Sequence, residues 1–304
     1  MRRAWKNTGI TVVTVVALLF VLGLVWALVE PYTLDTERHE VVVPNLPESW
    51  FGKRVAVVTD FQIGMWLDNV STMRRAVDAI IEEEPALVLI TGDFIYHGGE
   101  RAPRLISTAA EVVKPLTDAG LPVYAVLGNH DYSVSEYNPA KIDYDRAENL
   151  TEALEAVGVN VLVNESVEVD GLYVVGIGSH MIRNDEPEKA FGAVPTDAPR
   201  IVALHNPTSF GAISAGHAPL AVAGHTHGGQ IRIPFTPEWS MLTFFEEEEV
   251  HADGWIDDYG ARGNELYVNR GIGMSVVPMR VRCRPEVTVF TFTRDAPSNH
   301  EAGG

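Results

Sequence analysis

Cysteine is almost missing from this 304-residue chain: Cys283 stands alone, so no intrachain disulfide can form and no thiolate cluster can hold a metal. Basic residues are few as well. Lys and Arg number 23 against 41 Asp and Glu, a formal net charge of -18 at pH 7, which withholds the basic face that a nucleic-acid backbone needs. DNA and RNA are therefore not expected as partners. No Gly-x-Ser-x-Gly elbow, P-loop or dinucleotide fingerprint occurs, so acyl transfer and nucleotide-driven chemistry lack support. Internal repeats and low-complexity tracts are absent too. Any metal has to be bound through nitrogen and oxygen.

Charge is also missing from residues 9–29, an apolar run long enough to cross a bilayer as a helix of about 20 residues. Residues 1–8 form a stub that carries Arg2, Arg3 and Lys6, and Glu30 follows the run. The positive-inside rule then places the N-terminus in the cytoplasm and the rest outside, in a single-pass protein of the cell membrane whose first partner is the lipid bilayer. A cleaved signal peptide is the rival reading; the length of the run and the lack of a small-x-small site after it argue for a signal-anchor. Residues 30–50 have proline and charge without a clear period and are read as a tether with a first strand. Residues 51–295 are expected to form one domain, and 296–304 a disordered tail.

Within that domain, β-branched apolar runs alternate with helical patterns. The runs 54–59, 86–91 and 122–127 read as buried strands, separated by amphipathic stretches at 69–84 and 103–118. A helix at 145–157 precedes a hairpin signal, Asp170-Gly171 between two apolar runs, and further strands are expected at 200–204, 220–222, 266–269 and 287–292. Such alternation implies an α/β fold with parallel pairs, and the hairpin makes the sheet mixed.

Five of these strands end in residues that can bind metal: Asp60 with Gln62, Asp93, Asn129 with His130, His205, and His225 with His227. Ligands of open α/β sheets bind beyond the carboxyl ends of strands, so these side chains are expected to meet. If the strand continues through the Gly-His-Thr-His stretch, His225 and His227 at i and i+2 leave the backbone on one side, about 7 Å apart. Carboxylate, carboxamide and imidazole suit Mn, Fe or Zn. The ligands are too many for one ion. Two ions would use them all, and a pair ~3.5 to 4 Å apart promotes in-line displacement at phosphorus through a bridging hydroxide. His130, beside Asn129, is placed to protonate the leaving group.

In order and spacing, Asp60-x-Gln62, Gly92-Asp93, Gly128-Asn129-His130-Asp131, His205 and Gly224-His225-Thr226-His227 resemble the motif set of the calcineurin-like metallophosphoesterases. The likeness runs from Arg54 to Phe292. The Gly-Gly-Gln that follows His227, the stretch Ile231 to Pro234, and the later Tyr267 to Gly273 and Arg284-Pro285-Glu286 look like the membrane-anchored bacterial branch. The resemblance implies a four-layer α/β/β/α sandwich of two mixed sheets. It also implies a first metal held by Asp60, Gln62, Asp93 and His227, and a second held by Asp93, Asn129, His205 and His225. Tethering together with this likeness points to a small-molecule or lipid phosphoester or pyrophosphate, such as a UDP-linked acyl sugar.

One residue departs from the pattern. The family usually has histidine where this chain has Gln62, and a neutral carboxamide is the weaker ligand, which favours manganese at the first site. The Mn-dependent ADP-ribose and CDP-alcohol diphosphatases look similar at this position. The alternative is a catalytically impaired, membrane-anchored metal-binding or sensor protein. His39, His97, His180, His217, His251 and His300 match no ligand position and read as surface or hydrogen-bonded histidines, with His180 a candidate to line the pocket. The apolar run Trp239 to Phe245, followed by Glu246 to Glu249, reads as core packing or as a loop that dips into lipid.

Overall fold

The computed structural model describes residues 2–96, 98–135, 142–233, 240, 252–257 and 259–295, with side chains from residue 10 onward. The run Trp239 to Phe245 (apart from residue 240), Glu246 to Glu249, His97, His251, His300 and the 296–304 tail lie outside the described residues.

Helix α1 (Arg2–Val29) opens the chain, and a short turn, Glu30–Tyr32, ends it. Its apolar stretch Ile10–Tyr32 covers 23 residues. At helical rise that is about 34 Å, enough for a hydrocarbon core of about 30 Å. Strand β1 (Asp35–Val41) follows and pairs in parallel with β12 (Glu286–Phe292). The first strand expected within residues 30–50 is thus present, as an edge strand of the main sheet.

The first sheet runs β1-β12-β2-β3-β4-β5, with β2 (Arg54–Val58), β3 (Leu87–Ile90), β4 (Val123–Ala125) and β5 (Val159–Val161) all parallel and β12 antiparallel to β2. The second runs β10-β11-β9-β8-β7-β6. Here β7 (Leu172–Gly176), β8 (Arg200–Ala203), β9 (Ala221–Ala223) and β11 (Leu266–Val268) are parallel, and β6 (Glu165–Val169) and β10 (Gly254–Ile256) are antiparallel edges. Asp170 and Gly171, at φ 49° and 84°, close the β6–β7 hairpin as their dipeptide predicts. The expected strands and helices are all present. β5 and β10 were not foreseen.

Side-chain alternation explains why both sheets are covered on both faces. Val55, Val57, Leu87 and Leu89 point into the layer between the sheets, where they meet Val174, Ile201, Ala203 and Val222. Their neighbours Ala56, Val58, Val88 and Ile90 face the other way, onto the buried stripes of α2 (Val70–Glu82), α3 (Ala102–Asp118) and α4 (Tyr144–Glu155). On the far side, Val175, Val202 and Ala221 pack under short helical turns, Pro187–Ala190 (α5) and Pro207–Ala212. The result is the four-layer sandwich, with a thin outer layer on the second sheet. His39 is half-buried, its ring 4.9 to 5.8 Å from those of Tyr267, Phe290 and Trp255.

Candidate metal centre

Each residue expected at the site follows the carboxyl end of a strand, and the turns there are tight. Asp60, Gln62, Asp93, His225 and His227 all have left-handed backbones, with φ of 52°, 51°, 56°, 73° and 50°. This conformation is costly for side-chain-bearing residues, and it persists where surrounding structure holds it in place. It also corrects the sequence reading of the two histidines. β9 stops at Ala223, and His225 to His227 form a turn beyond it, so the rings are aimed by two left-handed residues and not by strand alternation.

Close packing accompanies these turns. A Cβ on Gly128 would lie 2.1 Å from Asp93 Oδ1, and one on Gly224 would lie 2.5 Å from Asp60 Oδ2. Only glycine lets the loops after β4 and β9 approach the two carboxylates.

Asp60 Oδ2 accepts the His225 amide at 2.9 Å, and Oδ1 lies 3.5 Å from His227 Nε2. Asp93 Oδ1 accepts the His130 amide at 2.9 Å, while Oδ2 accepts Gln62 Nε2 at 2.7 Å and lies 3.3 Å from His205 Nε2. Asn129 donates its Nδ2 to Val134 O at 2.9 Å, which turns Oδ1 inward to 3.2 Å from His205 Nε2. His205 donates Nδ1–H to Thr91 O at 2.8 Å, which aims Nε2 at Asp93 and Asn129. The His225 ring stands 5.1 Å from that of His205. Ligand atoms of Asp93, His205 and His225 all lie within 4.8 Å of one another.

His130 donates Nδ1–H to Tyr96 O at 3.2 Å, and its ring stacks on Tyr96 at 4.9 Å. His180 sits at the margin: its amide donates to Asn206 Oδ1, next to His205, and its ring pairs with Asp185 at 2.7 Å.

Burial sets the electrostatics. It would lower His205, but the Asp93 carboxylate beside it outweighs burial and holds the ring at about 9. Burial likewise favours a neutral Asp93, and His205 and His130 overcome it, keeping the carboxyl well below the usual range. Burial carries Asp60 and Asp131 up to about 7, with the Asp93 charge adding to both, while His225 is pushed down to about 3 by burial and the neighbouring His205.

The donor set fits divalent ions. Asp60 Oδ1 and Gln62 Oε1 are buried without a hydrogen-bond partner, and His227 Nε2 faces both residues. Gln62 turns its nitrogen toward Asp93, where two facing oxygens would repel; a bound cation would favour the amide oxygen instead, which has no hydrogen-bond partner.

The sequence reading missed Asp131. Its Oδ2 accepts the amides of Asp93 and Gly128, each at 2.9 Å, and its Oδ1 accepts that of Ile95 at 3.2 Å, so one carboxylate clamps the β3 and β4 turns together. Its place directly after His130 was the available signal. The lone Cys283 was missed too: buried, it donates Sγ–H to His227 O at 3.1 Å.

Residues 53–229 match the family described as calcineurin-like phosphoesterase. The chain belongs to this family. Among similar proteins, phosphodiesterase YaeI of Escherichia coli is 30% identical over 225 residues, which cover 73% of this chain and 75% of that one. UDP-2,3-diacylglucosamine pyrophosphatase LpxG of Chlamydia trachomatis is 26% identical, over 88% of this chain and 92% of that one. A protein of Danio rerio described as a transmembrane protein with metallophosphoesterase domain is 28% identical, over 90% of this chain and 60% of that one. As a metallophosphoesterase, this chain is a phosphoester hydrolase of a family that works with divalent metal ions.

Proposed function

We propose that the chain is a two-metal phosphoesterase anchored by α1, with its domain outside the cytoplasm. Asp60, Gln62, Asp93 and His227 would hold one ion, and Asp93, Asn129, His205 and His225 the other, with Asp93 shared. The carrying observation is the cluster of buried Asp93 and His205 with half-buried His225, with ligand atoms within 4.8 Å of one another, at strand ends that also bring Asp60, Gln62, Asn129 and His227. Bound ions of this kind lower the pKa of water and offset charge on phosphoryl oxygens.

The chain's own residues do the rest. Thr91 O and Val134 O orient His205 and Asn129, so the ligands need little rearrangement. Asp131 keeps the Asp93 and Asn129 turns in register. His130, fixed through Nδ1, delivers a proton from Nε2 to the leaving oxygen. An envelope lipid or acylated nucleotide-sugar pyrophosphate is the favoured substrate class, supported by α1 and by the likeness to LpxG. The orientation rests on Arg2, Arg3 and Lys6 ahead of the span, and a reporter fused after Gly304 that is active in the cytoplasm would overturn it.

The test is turnover. The manganese-loaded full-length chain is expected to hydrolyse an aryl phosphodiester, and His130→Ala to lose about 100- to 10,000-fold in rate while binding as much metal. Wild-type protein that binds metal yet shows no turnover with any divalent ion would favour the impaired metal-binding reading.

A further inference from the structure

The end of α1 is fixed to the globular part by hydrogen bonds. Ala27 O accepts the Arg280 amide at 3.0 Å, and buried Glu30 accepts both Trp26 Nε1 and the Cys283 amide. Asn69 Nδ2 donates to Pro31 O at 2.9 Å, and the Tyr32 hydroxyl donates to Asp68 O at 3.3 Å. Ala27 lies inside the apolar stretch, about 8 Å from its end at Tyr32 by helical rise. If α1 spans the bilayer, a loop bonded to Ala27 sits at the level of the lipid headgroups, because the polar layer adds only about 5 to 8 Å on each side of the hydrocarbon.

Two loops are tied down at this depth, residues 66–69 and 276–284, and what they expose is unusual for an acidic protein. Trp66 is 68% exposed, Leu67 45% and Val276 40%. Arg282 and Arg284 are exposed on the same loop as Arg280, in a chain of net charge -18. An aromatic ring, aliphatic side chains and arginines together are the makings of an interfacial contact, where the apolar groups enter the acyl boundary and the guanidinium groups meet phosphates.

Both loops also adjoin the metal centre. Trp66 and Leu67 follow Gln62 in one turn, the Gly273 amide donates to Asp60 O at 2.6 Å, and the Val276 amide donates to the hydroxyl of Tyr96, whose ring stacks on His130.

We propose that the face formed by Trp66, Leu67, Val276, Arg282 and Arg284 rests on the bilayer that holds α1, setting the metal centre beside the lipid headgroups. This rests on the reading of α1 as a membrane anchor and is independent of catalysis. Single-cysteine labelling tests it, since Cys283 is buried and the unsubstituted chain serves as the blank. Full-length Trp66→Cys, Val276→Cys, Val16→Cys and Asp118→Cys, each carrying an environment-sensitive fluorophore, are reconstituted into phosphatidylcholine and phosphatidylglycerol vesicles that contain a nitroxide-labelled lipid. Asp118 ends α3 at the opposite end of the sheet.

Labels at 66 and 276 are expected to be quenched at least about twofold more than the label at 118, with the label at 16 quenched most. Quenching at 16 with 66 and 276 no different from 118 overturns the proposal and leaves the anchor standing. No quenching at 16 overturns both, and neither result touches the phosphoesterase reading.

Discussion

At the scale of single residues, Gln62 is where this chain tests its own chemistry. Its buried amide sits between Asp93 and His227 with the oxygen unpartnered. Gln62→His is expected to tighten the first metal and shift preference from manganese toward zinc or iron, and Gln62→Ala to weaken it by at least about 10- to 100-fold. Metal stoichiometry against free manganese reads both; unchanged affinity in Gln62→Ala would remove Gln62 from the ligand set. Protonation gives a second test. His205 in the metal-free fold stands at about 9 against an ordinary 6.5, so its stabilisation is complete below pH 6.5 and is lost as pH climbs through 9. Asp60 and Asp131, at about 7 against 3.8, favour the protonated form, so their ionisation weakens the fold between those values. Below pH 6.5 His225 and His227, both lowered, act the other way, so His205 sets the slope above it: Tm of chelator-treated protein is expected to fall from about pH 6.5 to pH 9, and metal, which would displace the proton from His205, to flatten that fall. A Tm that rises over this range would contradict the assignment. Asp60, Asp93, His205 and their partners were legible in the sequence because each ends an apolar run. Asp131 was legible only as the last residue of Gly128-Asn129-His130-Asp131, because nothing in that motif says that its carboxylate accepts backbone amides from two turns.

At the scale of elements, sequence pattern located the long strands and helices because apolar period and strand-end punctuation are local signals. Backbone conformation at the site was not readable in the same way: nothing in Gly-His-Thr-His says that two of its residues turn left-handed beyond the strand. Glycine is the nearest sequence sign of such turns, and Gly128 carries a prediction. Because a Cβ there would press on Asp93 Oδ1 at 2.1 Å, Gly128→Ala is expected to separate the β3 and β4 turns and to cost both metal binding and several degrees of Tm. An unaltered Tm with full metal occupancy would show that the two turns have more room than the geometry gives them.

At the scale of the whole molecule, hydrogen bonds join the end of the apolar helix α1 to the candidate metal site. The Cys283 amide donates to Glu30, its thiol donates to His227 O, and Arg280, bonded through its amide to Ala27, caps the carbonyls of Gly271 and Gly273 beside Asp60. The consequence concerns shedding. A protease that cut between α1 and β1 would release a domain stripped of Glu30 and Ala27, with the Cys283 and Arg280 amides exposed and the His227 loop unsupported. Such a fragment is expected to lose its first metal more readily than the intact protein, and full-length Glu30→Ala to reproduce that loss in part, both read by metal retention during dialysis. Equal retention by all three would show that the helix end carries no weight at the site. On this reading, a copy that escapes the membrane loses metal along with its anchor, and hydrolysis stays where the anchor is.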